Sequence, residues 1–237
     1  MTDQPTIVLI HGSFADASGW GGVITRLTGQ GFTVFAPPNE LRGLASDADY
    51  VRAFLATIEG PVVLVGHSYG GAVITNAAVG APNVTALVYV AAFALDEGEP
   101  VAGALSLAGD AVDLASIVDL RPYAGAPEGD ADAYLKIDIF PQAFCQDLPA
   151  ELAAVMAVTQ RPGTLSSLTT PSGVPAWKTL PSWYLVASSD RVIPPAAERI
   201  MASRAGATTV EVDSSHVAMI SHPDEVTELI LAAVAGS

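Results

Sequence analysis

Six short apolar runs, separated by segments with helical periodicity, limit what this 237-residue chain can fold into. The best of these runs are continuous rather than alternating in hydrophobicity, which is typical of parallel strands covered on both faces. Because parallel neighbours are joined by right-handed helical crossovers, the order of the runs predicts a doubly wound, mostly parallel six-stranded α/β sheet. The predicted strands are Thr6–Ile10, Thr33–Ala36, Val62–Val65, Ala86–Ala91, Ser182–Ala187 and Thr208–Val212.

One-sided apolar patterns predict the helices between these strands. Glycines and the pair Gly60–Pro61 follow the first two patterns as helix stops, and Ser221, Pro223 and Asp224 form the start of the last helix. The apolar faces are Trp20, Val23, Ile24 and Leu27, then Val51, Phe54, Leu55 and Ile58, then Val226, Leu229 and Ile230.

The long segment between the fourth and fifth strands interrupts this pattern. Residues 93–177 are rich in Ala, Gly, Pro and Asp and show little strand pattern. We therefore predict a core formed by residues 1–92 and 178–237, with residues 93–177 inserted as a helical cap. Helices are predicted at 131–139 and 148–158, and a loop at 125–132.

The charge balance excludes several classes of partner. Ten Lys and Arg against 25 Asp and Glu give a net charge of −15, which repels nucleic acid and anionic membranes. The apolar runs are too short to span a bilayer, and the amino terminus lacks the positive charge of a signal peptide, so we expect a cytoplasmic protein. Cys145 is the only cysteine, which excludes an intrachain disulfide and predicts a structural thiol.

The third apolar run ends in VVLVGHSYGG, residues 62–71. A strand that ends in Gly-x-Ser-x-Gly and leads into an alanine-rich helix is the pattern of a nucleophile elbow. Small flanking residues let the serine occupy a strained turn, and the following helix directs free N–H groups towards an oxyanion. Ser68 is therefore the predicted nucleophile.

A serine hydroxyl needs a base and an orienting carboxylate. His216 follows the last strand and Asp190 follows the fifth, so both lie at the edge of the sheet where Ser68 lies. The order Ser68, Asp190, His216 fits this architecture. Asp213, three residues before His216, is the alternative acid and has more the position of a loop-stabilising residue.

The oxyanion hole and the substrate pocket are predicted from two other parts of the chain. The amides of Ser13, in the loop after the first strand, and Tyr69, after the nucleophile, are the expected oxyanion donors. Phe14 is the alternative to Ser13 as donor. Phe14, Phe140 and Trp177 are predicted substrate-binding residues, and Phe144 and Met156 of the cap are further candidate walls of the apolar pocket.

The stretches VLIHGSF, VLVGHSYGG, ASSDRVIPP and SSHVAMISHP together resemble the α/β-hydrolase fold. Within it they are similar to the small branch that includes plant methylesterases, hydroxynitrile lyases and many bacterial hydrolases. This resemblance implies the triad and oxyanion residues given above and a sheet without the usual antiparallel first two strands. Lyases of this branch place another residue where Gly12 stands and a lysine where Val217 stands, which favours ester hydrolysis here.

The expected function is therefore a cofactor-free, metal-free serine hydrolase acting on a small or medium uncharged carboxylic ester, thioester or lactone. A receptor-like small-molecule-binding protein is one alternative. Cofactor-free perhydrolysis, C–C bond hydrolysis and hydroxynitrile cleavage are the others, because the same site supports them. The sequence leaves the substrate, the pathway and the oligomeric state open.

Overall fold

The computed structural model of the chain describes residues 4–109 and 114–237. In chain order, the strands in these residues are β1 (Thr6–Ile10), β2 (Val34–Phe35), β3 (Val62–Ser68), β4 (Val84–Ala92), β5 (Val118–Arg121), β6 (Asp132–Leu135), β7 (Gly163–Thr164), β8 (Ser182–Ala187) and β9 (Thr208–Val212). Six of them form one sheet in the order β2-β1-β3-β4-β8-β9, and every pairing in it is parallel. The predicted six-stranded sheet is thus confirmed.

The central strand β3 shows why the apolar runs are continuous. Every residue of β3 is buried, and its side chains alternate between two hydrophobic clusters on opposite faces of the sheet. Val62 and Leu64 belong to one cluster, and Val63 and Val65 belong to the other. Successive side chains of a strand point to opposite faces, so a strand covered on both faces needs an apolar residue at every position.

Helices cover both faces of the sheet. The predicted inward faces are largely buried. Trp20, just before α1 (Gly21–Gly29), and Val23 and Leu27 within it belong to one buried cluster. Val226, Leu229 and Ile230 on α11 (Pro223–Gly236) belong to the same cluster. The helices are α1 (Gly21–Gly29), α2 (Leu44–Leu55), α3 (Tyr69–Ala77), α4 (Val101–Ala104), α5 (Leu114–Ile117), α6 (Phe140–Phe144), α7 (Ala150–Thr159), α8 (Leu165–Thr169), α9 (Pro195–Arg204), α10 (Ala218–Ser221) and α11 (Pro223–Gly236), with 3-10 turns at Ala17–Trp20 and Ala176–Lys178. Among the described residues, no helix combines the length and the hydropathy needed to cross a bilayer.

The segment between β4 and β8 is not purely helical, which corrects the prediction for the cap. It contains α4–α8 and also an antiparallel sheet in the order β5-β6-β7. The helix predicted at 131–139 is wrong, because Asp132–Leu135 forms the middle strand of that sheet. Pairing with two strands distant in sequence outweighs the local preference there. The helix predicted at 148–158 is found as α7.

Candidate active site

Ser68 lies at the junction of β3 and α3 with φ 54° and ψ −125°, a backbone conformation that non-glycine residues rarely adopt. The close packing around the turn explains its glycines. A Cβ on Gly66 would lie 2.6 Å from the carbonyl oxygen of Gly70. The strain therefore persists because the sheet and the helix enclose the turn, and it holds the serine above the edge of the sheet.

Asp190 and His216 meet at the same edge. Oδ2 of Asp190 lies 2.5 Å from Nδ1 of His216, and both side chains are fully buried. The other carboxylate oxygen, Oδ1, accepts the N–H groups of Val192 at 2.6 Å and Ile193 at 3.0 Å. These contacts fix the carboxyl group of Asp190 with Oδ2 oriented towards the imidazole.

The second ring nitrogen of His216, Nε2, is buried and has no hydrogen-bond partner among the described residues. The ring lies beside the nucleophile's neighbour: the centroids of the His216 and His67 rings are 4.8 Å apart. No hydrogen bond joins Ser68 Oγ to His216 within the described part of the chain. Nε2 is therefore the ring nitrogen of His216 that remains open in the described part of the chain.

His67 holds the loop that carries His216. Its Nε2–H donates to the carbonyl oxygen of His216 at 2.8 Å, while burial and the nearby His216 ring lower the pKa of His67 well below its usual value. A neutral imidazole that donates from Nε2 is the form this contact requires. The sequence gives no sign of this contact, which links residues 149 positions apart.

The first loop passes directly over the nucleophile. A Cβ on Gly12 would lie 2.6 Å from Ser68 Cβ, so only glycine fits. The Phe14 N–H donates to the carbonyl oxygen of Arg161 at 2.8 Å and is therefore occupied. The Ser13 N–H has no partner in the described ranges, which leaves it, rather than Phe14, as the candidate donor beside Tyr69 at the start of α3.

The Tyr69 side chain is anchored on the far side of α3, a contact that the sequence does not indicate. Its hydroxyl donates to Oδ2 of Asp47 at 2.8 Å, and Asp47 also accepts the Arg42 N–H at 3.0 Å. Burial raises the pKa of Asp47, while these hydrogen bonds lower it in part. Asp47 therefore fixes the side chain of the residue that follows the nucleophile.

A small apolar cavity of about 40 Å³ lies against Ser68. Of the predicted substrate-binding residues, only Phe14 lines it. Phe140 is fully buried with its ring centroid 4.7 Å from that of Phe144, and the Trp177 indole N–H donates to the Leu95 carbonyl oxygen, so neither residue lines this cavity. The lining consists of Ser13, Phe14, Ser68, Tyr69, Phe93, Val101, Leu105, Ile117, Val118, Leu135, Leu168 and Val192.

A larger cavity of about 250 Å³ also contacts Phe14 but does not reach Ser68. Met156 and Leu152 of α7 and Met219 and Ile220 of α10 form its apolar walls. We assign the chemistry to the smaller cavity because the strained serine lines it.

The other candidate residues have structural partners. Asp213 accepts the Ser189 hydroxyl at 2.6 Å, as expected for a loop-stabilising residue. His222 contacts the hydroxyl of Ser221 at 2.9 Å before α11. Burial raises the pKa of Cys145 to about 11, which keeps the thiol protonated. Within the described residues, no group of three His, Cys, Asp or Glu side chains has the arrangement of a metal site.

A parallel sheet with a strained serine at the end of one strand, and a buried Asp–His contact after two others, is the arrangement of an α/β protein of the hydrolase type. The comparison of sequences agrees: residues 7–229 match the alpha/beta hydrolase family, and the chain belongs to that family.

Known proteins of similar sequence and structure extend over the whole chain. The alpha/beta hydrolase nvfD of Aspergillus novofumigatus is 26% identical over 250 residues, which cover 96% of this chain and 95% of that protein. Polyneuridine aldehyde esterase superposes with a TM-score of 0.83 at 21% identity, covering 97% of this chain and 99% of that structure. The methylesterase MES16 from Arabidopsis superposes with a TM-score of 0.80 at 18% identity, covering 98% of this chain and 100% of that structure. The resemblance to the methylesterase-containing branch is thus confirmed at the level of the fold.

Proposed function

We propose that this chain is a serine hydrolase that cleaves a small, uncharged carboxylic ester through an acyl-enzyme intermediate. The proposal rests on Ser68, which lies in a strained turn directly after His67, whose ring centroid is 4.8 Å from the buried imidazole of His216. Nδ1 of that imidazole contacts Asp190, and Nε2 has no hydrogen-bond partner among the described residues. The esterase and methylesterase names of the structural relatives support ester chemistry.

In the acylation step, Nε2 of His216 takes the proton of Ser68 as Oγ attacks the ester carbonyl. Asp190 stabilises the imidazolium through Nδ1, and the imidazolium then donates its proton to the leaving alcohol. In deacylation, His216 takes a proton from water, the hydroxyl attacks the acyl-serine, and the proton returns to Oγ as the acid leaves. Each step is an acyl or proton transfer that these three side chains supply.

The tetrahedral intermediate carries a negative charge on the former carbonyl oxygen. The amides of Ser13 and Tyr69 are the proposed donors to it, since the Phe14 amide is engaged with Arg161. Each such donor contributes roughly 3 kcal/mol in the transition state. The start of α3 adds a favourable dipole at the same place.

The cavity at Ser68 favours a short, uncharged acyl group. Its volume of about 40 Å³ holds roughly three water molecules by the same measure. Among the described residues, its walls are apolar apart from the serine and tyrosine residues and include no charged side chain. We therefore expect acetyl, propionyl and butyryl esters to be better substrates than long-chain or anionic esters.

Two positions favour hydrolysis over hydroxynitrile cleavage. A side chain at position 12 would collide with Ser68, so this loop has no room for the larger residue of the lyases. Val217, which follows His216, is fully buried and apolar and supplies no cation for a cyanide leaving group.

A panel of p-nitrophenyl esters from acetate to octanoate, with the same panel for Ser68→Ala, tests the proposal. We expect turnover that is highest for short acyl chains and is lost in S68A. Retained turnover in S68A, or no turnover by the wild-type protein together with saturable binding of a small molecule, would contradict it. Cleavage of mandelonitrile tests for lyase activity. Detection of a peracid in the presence of hydrogen peroxide tests for perhydrolase activity.

A further inference from the structure

A second acidic side chain lies buried behind the Asp–His pair. Glu198 on α9 is fully buried, and its Oε2 accepts the Ala187 N–H at 3.1 Å. Its other oxygen, Oε1, meets no donor group within the described residues. The neighbouring acidic side chain that acts on Glu198 is Asp190, which is itself a carboxyl group. Two carboxyl groups can share a hydrogen bond only when one of them carries a proton.

The hydrogen-bond partners show which of the two carries it. Both oxygens of Asp190 already face donors, Oδ1 the N–H groups of Val192 and Ile193 and Oδ2 the Nδ1 of His216. Glu198 has a single N–H donor, from Ala187. Burial and the charge of Asp190 raise the pKa of Glu198 well above its usual value. The proton therefore belongs to Glu198.

The charged and titratable groups around Glu198 do not offset its burial. Arg199, next in sequence, points outward and forms an ion pair with Glu211 at the surface. The Tyr184 hydroxyl on β8 donates to the carbonyl oxygen of Ala92, and burial raises the pKa of this phenol well above its usual value. His216 lies on the far side of Asp190. An ionised Glu198 would consequently lie beside Asp190 without a compensating cation.

We propose that Glu198 is a neutral positioning residue whose carboxyl O–H donates to Asp190 and holds that carboxylate in place for His216. The proposal deepens the function given above and rests on it, since it assigns Asp190 and His216 to the reaction. A neutral donor fixes the carboxylate without adding a second negative charge behind the imidazole. The network then runs from Ser68 through His216 and Asp190 to Glu198.

The protonation of Glu198 is testable without any substrate. If the folded protein keeps the proton and the unfolded chain loses it above its ordinary pKa, stability falls as pH rises, relative to a variant without the acid. For Glu198→Gln, an uncharged side chain of the same shape, we expect the ratio of wild-type to variant unfolding constants in urea to rise about tenfold per pH unit from about pH 5. Glu228→Gln, at an exposed position, is the control variant for the loss of one acidic side chain. A constant ratio for E198Q would overturn the proposal.

The positioning role is tested by measuring kcat/KM, or the rate of fluorophosphonate labelling, as a function of pH and comparing the acidic limbs of the profiles. E198Q should follow the wild-type limb, because neither side chain is charged. A limb displaced to lower pH by about half a unit or more would show that Glu198 is ionised and would overturn the proposal.

Glu198→Leu, which removes the donor at similar size, should lower kcat about tenfold at unchanged KM, with rates normalised by active-site titration. Wild-type kcat in E198L would refute the positioning role. If the protein turns over no ester but the ratio of wild-type to E198Q unfolding constants rises with pH as expected, the proposed function is refuted and the protonation of Glu198 is not.

Discussion

The contact between Gly12 and the nucleophile makes a strong prediction about a single methyl group. A Cβ at position 12 would lie 2.6 Å from Ser68 Cβ, 2.9 Å from the His67 carbonyl oxygen and 3.1 Å from Ser68 Oγ. Ordinary van der Waals contact begins near 3.4 Å, and the two closest atoms belong to or adjoin the backbone of the elbow. The first loop or the elbow therefore has to move by several tenths of an ångström in Gly12→Ala.

The size of that movement sets the expected loss of activity. Misplacing reacting groups by about 1 Å costs about 10²-fold in rate, or about 2.7 kcal/mol of transition-state stabilisation. We expect kcat for p-nitrophenyl acetate to fall about 10²-fold in G12A, with a smaller change in KM, because the serine and the Ser13 amide lose their mutual alignment.

Gly21→Ala is the matched control. A Cβ at position 21 meets nothing within 4 Å, and the residue begins α1, so this variant should keep wild-type kinetics. Circular dichroism and active-site titration establish that both variants are folded. A kcat for G12A within threefold of wild type would refute the idea that the first loop and Ser68 must be this close.

Three further predictions concern the acid, the acyl cavity and the thiol. Asp190→Asn should lower kcat by about 10³- to 10⁴-fold, because it favours the wrong tautomer of the His216 imidazole. Asp213→Asn removes a hydrogen bond with Ser189 and should leave kcat within about threefold of wild type. Equal losses of kcat in the two variants would contradict the assignment of Asp190. Leu105→Ala enlarges the cavity at Ser68 and should move the best substrate towards longer acyl chains, and an unchanged chain-length profile would show that acyl groups bind elsewhere. Cys145, with its pKa raised to about 11, should react with a disulfide reagent at pH 8 only after unfolding in urea, and rapid reaction of the folded protein would contradict its burial.

Much of the fold is predictable from the sequence because its central strands are buried on both faces. The run TIVLI is found as β1 with the predicted bounds, and SWYLVA and TTVEV are found as β8 and β9. A continuous apolar run leaves few other structures open to such a segment. The antiparallel strands of the cap are different: Asp132–Leu135 has no alternating pattern, and its partners lie elsewhere in the chain.

The candidate site, like the fold, is predictable from the sequence only in part. Ser68, Asp190 and His216 were placed at one edge because strand ends converge there, and the structure brings Asp190 and His216 into contact. Phe140 and Trp177 are predicted as pocket residues because they are large and apolar. That property does not distinguish a residue of the hydrophobic core from one that lines a pocket. Glu198 lies in the polar helix PAAERIMASR, where its sequence is typical of an exposed acid, and only the packing of α9 on β8 buries it.

Mapping the covalent adduct of a fluorophosphonate by mass spectrometry shows directly which residue is the nucleophile. We expect one adduct per chain, on Ser68, that is absent from S68A and forms far more slowly in His216→Ala. An adduct on another residue, or equally rapid labelling of the wild type and H216A, would contradict the claim that Ser68 is a nucleophile activated by His216.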